Sequence, residues 1–312
     1  MSSVTKIAIA GFTGKMARLI TNSLLTRHPN VQIHGLCRSP SKVNAKLLSN
    51  PNIKVFEADS TDPAALRRGL AGTSACICCY LGDNSLMIDG QKTLIDACIA
   101  ENVPRYIASD WSIDFRPLAF GDHPSKDPMK HVQVYLEEKE KEGKIKGVHV
   151  LNGGFMEVVW APFLGFADAK EGVFRYFGTG DEKLEMTTYA DTAAFTAEVA
   201  ADPKAVGFLN FLGDRKSVKE MAELYQKVYG VEPNVQRMGS LEDLYGKMTA
   251  VFKEQAANPY AWMGMYYQYW MSNGQTALER LDNERYPVVK PKDLETFLKG
   301  YTKDTVGISN QF

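Results

Sequence analysis

The segment whose residue types and spacing carry the most chemistry is Gly11-Phe12-Thr13-Gly14-Lys15-Met16-Ala17. It stands directly after the apolar run Lys6–Ala10 and opens the amphipathic stretch Met16–Leu25. Glycines placed between a strand and a helix let the backbone turn tightly and approach a pyrophosphate. Ala17, where a third glycine often stands, still permits close helix–strand packing. The helix start adds free N–H groups and a partial positive charge. Gly11, Phe12, Thr13, Gly14, Lys15 and Met16 are therefore candidates for holding a dinucleotide. The end of the second apolar run selects which one. An acid there would take the ribose hydroxyls, but the chain has Arg38, with Lys42 four residues on. A guanidinium fork suits a 2′-phosphate, so the expected cofactor is NADP(H) rather than NAD(H). Asp59, at the end of the third run, either accepts from the adenine amino group or caps the next helix.

A nicotinamide held this way reaches the far ends of strands four to six. That selects Tyr80 and Leu81, Ser109 and Asp110, Gly154 and Phe155 as further cofactor contacts, and the segment from His123 to Tyr135 as the place for a proton donor. Lys130 is the first candidate, followed by Lys126 and His131. A lysine at a helix start anchors a ribose, or acts as a general acid once neighbouring positive charge lowers its pKa. Tyr135 and Lys139 have the Tyr-x-x-x-Lys spacing that puts a phenol and an ammonium on one helix face. With 14 tyrosines in the chain, one such match is also expected by chance. For a substrate, the candidates are Trp111, Met156 and Trp160, with Phe163 beside them, and the stripe Trp262, Tyr266 and Trp270. An aromatic stripe at four-residue spacing is more often core than pocket, but beside a cleft it suits a flat apolar ligand.

The elements that would position these residues can be read from the hydrophobic pattern. Strand-like runs at Lys6–Ala10, Val31–Cys37, Ile53–Ala58, Ala75–Tyr80, Arg105–Ser109 and Val148–Asn152 alternate with helical patterns at Met16–Leu25, Lys42–Leu48, Pro63–Leu70, Ser85–Glu101 and Lys130–Glu142. Continuous apolar strands alternating with helices predict a parallel sheet covered on both faces. The fold class is thus α/β, a Rossmann-type doubly wound sheet over residues 1–155. A smaller, mostly helical substrate lobe takes residues 156–312, and a strand near 207–212 returns to the sheet.

Composition narrows the classes further. Of 312 residues, 45% are hydrophobic and 23% charged, which argues for a packed globular chain and against disorder. The formal charge of −1 argues against a surface that tracks nucleic acid as a whole, although a local basic patch would not show in the sum, and no basic stripe supports direct nucleic-acid binding. No window has the ~18 apolar residues of a spanning helix, and the N-terminal apolar run is too short for a signal peptide. The five cysteines are an odd number, three of them inside one apolar run. Buried thiols in a reducing cytoplasm, with no metal, account for them. The expected partner is a small aromatic molecule rather than a membrane; oligomeric state is not legible.

Taken together, GFTGKMA, Arg38, FEADSTDPAALRRGLAG, RYIASDWSID, VHVLNGGFME, TTYADTAAFTAEVAADP and LDNERYP resemble the NmrA-like, isoflavone-reductase-like branch of the atypical short-chain dehydrogenases/reductases. The resemblance spans essentially the whole chain. It implies a reductase that uses NADPH to transfer hydride to a small aromatic, phenolic or carbonyl-containing metabolite. It also implies a lysine at the start of the helix after strand five. Aligning Val132, Tyr135 and Leu136 to that helix puts Met129 at the lysine position, with Lys130 one residue away and Lys126 three. This departure keeps open a dinucleotide-sensing regulator without turnover, as in NmrA itself, and a non-redox isomerase or cyclase.

Overall fold

The computed structural model describes residues 5–307. The chain runs β1 (Lys6–Ala10), α1 (Lys15–Arg27), β2 (Gln32–Cys37), α2 (Ala45–Leu48), β3 (Ile53–Glu57), α3 (Pro63–Leu70), β4 (Ala75–Cys78), α4 (Gln91–Ala100), β5 (Arg105–Ile107), α5 (Asp127–Lys141) and β6 (Lys146–Leu151). It continues through β7 (Gly154–Phe155), α6 (Met156–Val159), β8 (Ala167–Asp168), β9 (Val173–Tyr176), β10 (Lys183–Thr187), α7 (Tyr189–Ala201), β11 (Gly207–Asn210) and β12 (Asp214–Ser217). The remaining elements are α8 (Val218–Tyr229), β13 (Asn234–Arg237), α9 (Leu241–Gln255), α10 (Pro259–Ser272) and α11 (Leu294–Lys299).

Contacts divide the chain into two compact units that are interleaved in sequence. The first comprises the chain up to Trp111, Lys126–Val150 and Thr192–Leu209; the second comprises Ser112–Ser125, Leu151–Asp191 and the chain from Asn210 onward. β11 returns to the seven-stranded sheet, as expected of a strand near 207–212, but the first unit also takes most of α7, and Ser112–Ser125 goes with the second, so the units do not meet at one break after residue 155.

The first unit is built on a seven-stranded sheet in the order β11-β6-β5-β4-β1-β2-β3. Neighbours from β1 to β6 pair in parallel, and the order reverses direction at β1. Such a reversal leaves a crevice at the carboxyl ends of the strands. Ile7, Ala8, Ile9 and Ala10 of β1 and Ala75–Cys78 of β4 are fully buried, as central strands with two covered faces must be. One face packs Leu66 and Leu70 of α3, Leu94 and Ile95 of α4, and Val132 and Leu136 of α5. Helix α5 begins at Asp127, earlier than the pattern predicts. Pro128 is tolerated in a first turn that lacks hydrogen-bonded N–H groups, and Asp127 suits its positive end.

A buried arginine ties α7 to the sheet. Arg105, on β5 and 4% exposed, donates from Nη1 to the carbonyls of Val199 (2.9 Å) and Asp202 (2.7 Å) and from Nη2 to Ala200 (2.6 Å). These carbonyls end a helix and have no partner within it, so the guanidinium caps them while meeting its own need for acceptors.

The second unit has two small sheets, β12-β10-β7 and β13-β9-β8, and a separate apolar core. Trp160, Phe174, Tyr225, Tyr266 and Trp270 belong to that core. Helix α8 starts with a reciprocal cap between Ser217 and Glu220, and α9 with one between Ser240 and Asp243, each satisfying two orphan N–H groups.

Candidate functional site

In the first unit a cavity of about 340 Å³ opens where β1, β2, β3 and β4 end. Gly11, Thr13 and Gly14 form one wall, Arg38, Ser39 and Lys42 another, and Tyr80, Leu81 and Leu86 a third. The local geometry follows from the glycine loop. Gly11 has φ +75°, and a Cβ there would lie 2.6 Å from the carbonyl oxygen of Cys79. Its N–H donates to Leu36 O, and its carbonyl accepts from Gly14 N at 2.9 Å. The loop is thus held onto β2 and β4 by its own backbone.

Gly14 is the N-cap of α1. It offers no side chain to the helix N–H groups, and the first turn carries no acid. A helix end of this kind suits an anion. No aspartate or glutamate lines the cavity, while Arg38 and Lys42, both exposed, do. Leu81 is 91% exposed at the mouth, an apolar side chain that a flat ring would cover.

The expected cofactor residues divide into two sets. Gly11, Thr13, Gly14, Arg38, Lys42, Tyr80 and Leu81 come together around this cavity; Phe12, Lys15, Met16, Asp59, Ser109, Asp110, Gly154 and Phe155 are not on its wall. The side chain of Phe12 is 1% exposed. Asp59 folds onto its own turn, with Oδ1 accepting from Thr61 N (2.9 Å) and Thr61 Oγ1 (2.8 Å). Those bonds, with the charge of Arg38 adding, hold its carboxyl below the usual range. The cap of α3 is Asp62, which accepts from Ala65 N.

Ser109 turns its hydroxyl to Tyr80 O at 2.7 Å and so braces the cavity wall from β5. Asp110 faces inward. Its Oδ2 lies 2.6 Å from His149 Nδ1 on β6, and the His149 ring stacks on Phe208 at 4.3 Å. Both residues of this pair are at most 5% exposed. Phe155, in the second unit, stacks on Tyr189 at 3.8 Å.

Sequence reading missed several residues of the site. Leu36, Cys37, Ala58, Ser60 and Cys79 line the cavity and adjoin predicted ones at strand ends, so strand ends taken as runs would have found them. Gln91 had no such signal. It is fully buried, and its Oε1 accepts from Tyr106 Oη (3.1 Å) and Ser109 N (3.3 Å), while Nε2 donates to Met87 O. Met87 lies in the π-helical turn Ser85–Gly90 that precedes α4 and brings Leu86 to the cavity. Gln91 thus joins that turn to the end of β5.

The expected catalytic residues are spread along the start of α5. Lys126, the residue before the helix, is 2% exposed, and its Nζ lies 3.8 Å from Met129 Sδ. Lys130 is half-buried in the first turn and His131 is exposed. Tyr135 does not form the phenol–lysine pair its spacing suggests. Its hydroxyl donates to Asp96 Oδ1 at 2.6 Å on α4, while Lys139 Nζ sits 5.1 Å from the centre of its ring. Burial and the Asp96 carboxylate push the phenol pKa up, the reverse of what a general base or acid near neutral pH needs. His123, in the second unit, is fully buried, with Nδ1 3.1 Å from Ser125 Oγ and its ring edge-on to Tyr267 at 4.8 Å.

The expected substrate residues are mostly spent on packing. Met156 and Trp160 are fully buried, and Trp262, Tyr266 and Trp270 are 4–7% exposed, all inside the core of the second unit. Trp262 donates to Ala256 O and Trp270 to Asp122 O. The stripe is continuous apolar surface, and the second unit uses it as core. Trp111 is 8% exposed and donates from Nε1 to Thr196 Oγ1 at 3.0 Å. Its φ of +34° is costly for a bulky residue, on the order of 1–3 kcal/mol. The bonds of its N–H to Val150 O and of its indole to Thr196 over-determine that conformation.

Among the described residues no helix is long and apolar enough to cross a membrane, and no group of three or more His, Cys, Asp or Glu side chains is arranged to hold a metal ion.

A doubly wound parallel sheet with a glycine-rich, uncapped helix start at its switch point defines an α/β protein of the Rossmann type. Comparison with known proteins places it more closely: the chain belongs to the NmrA-like family, whose model matches residues 3–298. It is 27% identical over 143 residues to an NmrA-like family domain-containing oxidoreductase of Gibberella moniliformis, covering 45% of this chain and 46% of that protein. It is 30% identical over 200 residues to quinone oxidoreductase 2 of Escherichia coli, covering 63% of this chain and 64% of that one. The matched segments therefore span less than two thirds of either relative's length. Among solved structures, one of AtPrR2 with NADP+ and (+)pinoresinol shares the fold at TM-score 0.79 and 18% identity, covering 97% of this chain and 100% of that one.

Proposed function

We propose that this protein is an NADPH-dependent oxidoreductase that reduces a small aromatic or carbonyl-containing metabolite. The observation that carries this reading is the cavity at the ends of β1–β4, which joins an uncapped helix N-terminus to Arg38 and Lys42 with no acid on its wall. A diphosphate suits the first feature and a 2′-phosphate the second. The names of the relatives, an oxidoreductase and a quinone oxidoreductase, support a redox role, as does a structural neighbour solved with NADP+.

Bound NADPH would supply hydride. The chain's own residues would receive the diphosphate at the start of α1 beside Gly11, Thr13 and Gly14, hold the 2′-phosphate at Arg38 and Lys42, and cover the ring system with Leu81. Lys126 and Lys130 are the proposed sources of the proton or anchors of the ribose. The burial of Lys126 beside Met129 favours it as the one whose ammonium is withheld from bulk water.

Calorimetric titration tests the cofactor. NADPH should bind more tightly than NADH, and Arg38→Ala should weaken NADPH by about tenfold or more, the worth of a charge-assisted hydrogen bond, with NADH little changed. Equal binding of both dinucleotides, unaltered by the substitution, overturns the assignment. Turnover is read as loss of NADPH absorbance against quinones and phenolic ketones. Met129, at the position where the reductase pattern has lysine, favours a second reading: a dinucleotide sensor. Tight NADPH binding with no turnover on any substrate would select it.

A further inference from the structure

A second cavity, of about 460 Å³, lies at the opposite ends of the strands from the glycine loop. Lys6, Gln32 and Ile53, the first residues of β1, β2 and β3, border it, and the end of α3 adds Arg68 and Ala71. The parallel register sets His34 opposite Lys54, and Phe56, two residues further, shares that face. The wall thus carries Lys6, Lys54 and Arg68 together with His34, and no aspartate or glutamate. Among the described residues none of the three cations has an ion-pair partner.

The aromatic part is equally defined. The rings of His34 and Phe56 lie 4.9 Å apart, and Lys54 Nζ lies 4.9 Å from the Phe56 centroid. His34 Nδ1 is held by Gly69 O at 2.7 Å, which fixes the ring. Burial, and then the charges of Lys6 and Lys54, hold its imidazole pKa below the ordinary value against the pull of that carbonyl.

We propose that this cavity is a second ligand site, which takes a small organic anion: a phosphate or carboxylate joined to a flat ring. Three unpaired cations converging on one concave surface supply the anion contacts, and Phe56 with His34 supplies the flat apolar ones. The site shares no lining residue with the dinucleotide cavity, so its occupation does not depend on the function proposed above.

Phenyl phosphate is a suitable probe, titrated calorimetrically into the whole protein beside inorganic phosphate. It should bind saturably with one site per chain, and more tightly than phosphate because of its ring. Lys54→Ala and Arg68→Ala, both at exposed side chains, should each weaken it by about tenfold, while Lys54→Arg retains it and Arg38→Ala leaves it unchanged. Dinucleotide affinity should be the same in all three variants at this cavity, which also reports that they are folded. Absence of saturable binding overturns the proposal. So does binding that survives Lys54→Ala and Arg68→Ala but is lost in Arg38→Ala, since the probe is then in the dinucleotide cavity.

Discussion

Replacing Gly11 with alanine separates the conformational from the steric demand of the glycine loop. Gly11 has φ +75° and a Cβ would lie 2.6 Å from Cys79 O and 2.9 Å from its carbonyl carbon. An L-residue in the left-handed region costs about 1–2 kcal/mol. The contact is with backbone, so β1 or β4 must move, and forced repacking of this kind typically adds about 1–3 kcal/mol. The expected destabilisation is thus about 2–5 kcal/mol. Gly72 is an internal control: its φ is +71° but nothing lies within 4 Å of a Cβ, so Gly72→Ala should lose only the first part. Urea unfolding reads both, and the difference between the variants isolates the contact. Gly11 O also accepts from Gly14 N, so the same shift should disturb the phosphate cradle. NADPH at a hundred times the wild-type Kd should stabilise the wild type by about 2.7 kcal/mol. A tenfold loss of affinity would leave about 1.4 kcal/mol of that. The reasoning fails if Gly11→Ala unfolds with Gly72→Ala and keeps the full stabilisation by NADPH.

Other outcomes follow from the same structure. Arg105→Met should lower stability by about 3 kcal/mol or more, since three carbonyls at the end of α7 lose charge-assisted bonds; a urea midpoint like that of the wild type would refute the capping role. Tyr135→Phe should leave turnover within about twofold and introduce no new limb in the pH–rate profile, because the phenol is bonded to Asp96 and its pKa is raised; a kcat loss of orders of magnitude would restore Tyr135 to the mechanism. Lys227 and Lys299 hold the exposed Glu295 carboxyl down to about 2. The folded value is below the unfolded one, so this pairing stabilises at pH above the ordinary carboxylate value and is lost as pH falls towards 2. Glu295→Gln should therefore be destabilising at pH 7, less so in high salt, and silent near pH 2, as thermal melts at the two pH values would show. All five cysteines are free and buried, and burial raises the thiol pKa at Cys76, Cys78 and Cys79. Iodoacetamide should label the native protein slowly and five sites in denaturant; fast labelling of the native chain would contradict that burial.

Local chemistry was legible where one short segment does the work. The glycine loop, the basic end of β2 and the alternation of strands and helices each depend on neighbours in sequence, and the structure has them where the pattern predicts. Site residues that depend on a distant partner were not legible in this way. Asp110 reads as a cofactor contact at a strand end, but β5 and β6 are neighbours in the sheet, and that brings His149 to its carboxylate. Tyr135 and Lys139 have a suggestive spacing, yet the packing of α4 against α5 gives the phenol to Asp96 instead. The Trp262–Tyr266–Trp270 stripe has the periodicity of a buried face, and periodicity alone does not say whether protein or ligand covers it.

The sequence by itself therefore determined the strand–loop–helix cradle and its charge, because a turn that needs glycine, a helix start without a cap and a cation at a strand end are properties of a few consecutive residues. Only the tertiary structure decided which polar and aromatic side chains remain available for ligands. Burial is a property of the whole chain: the packing of α7 brings Val199 to Arg105, and the sheet order brings His149 to Asp110, across tens of positions, and a side chain whose hydrogen bonds or surface are already satisfied inside the fold has nothing left to offer a substrate.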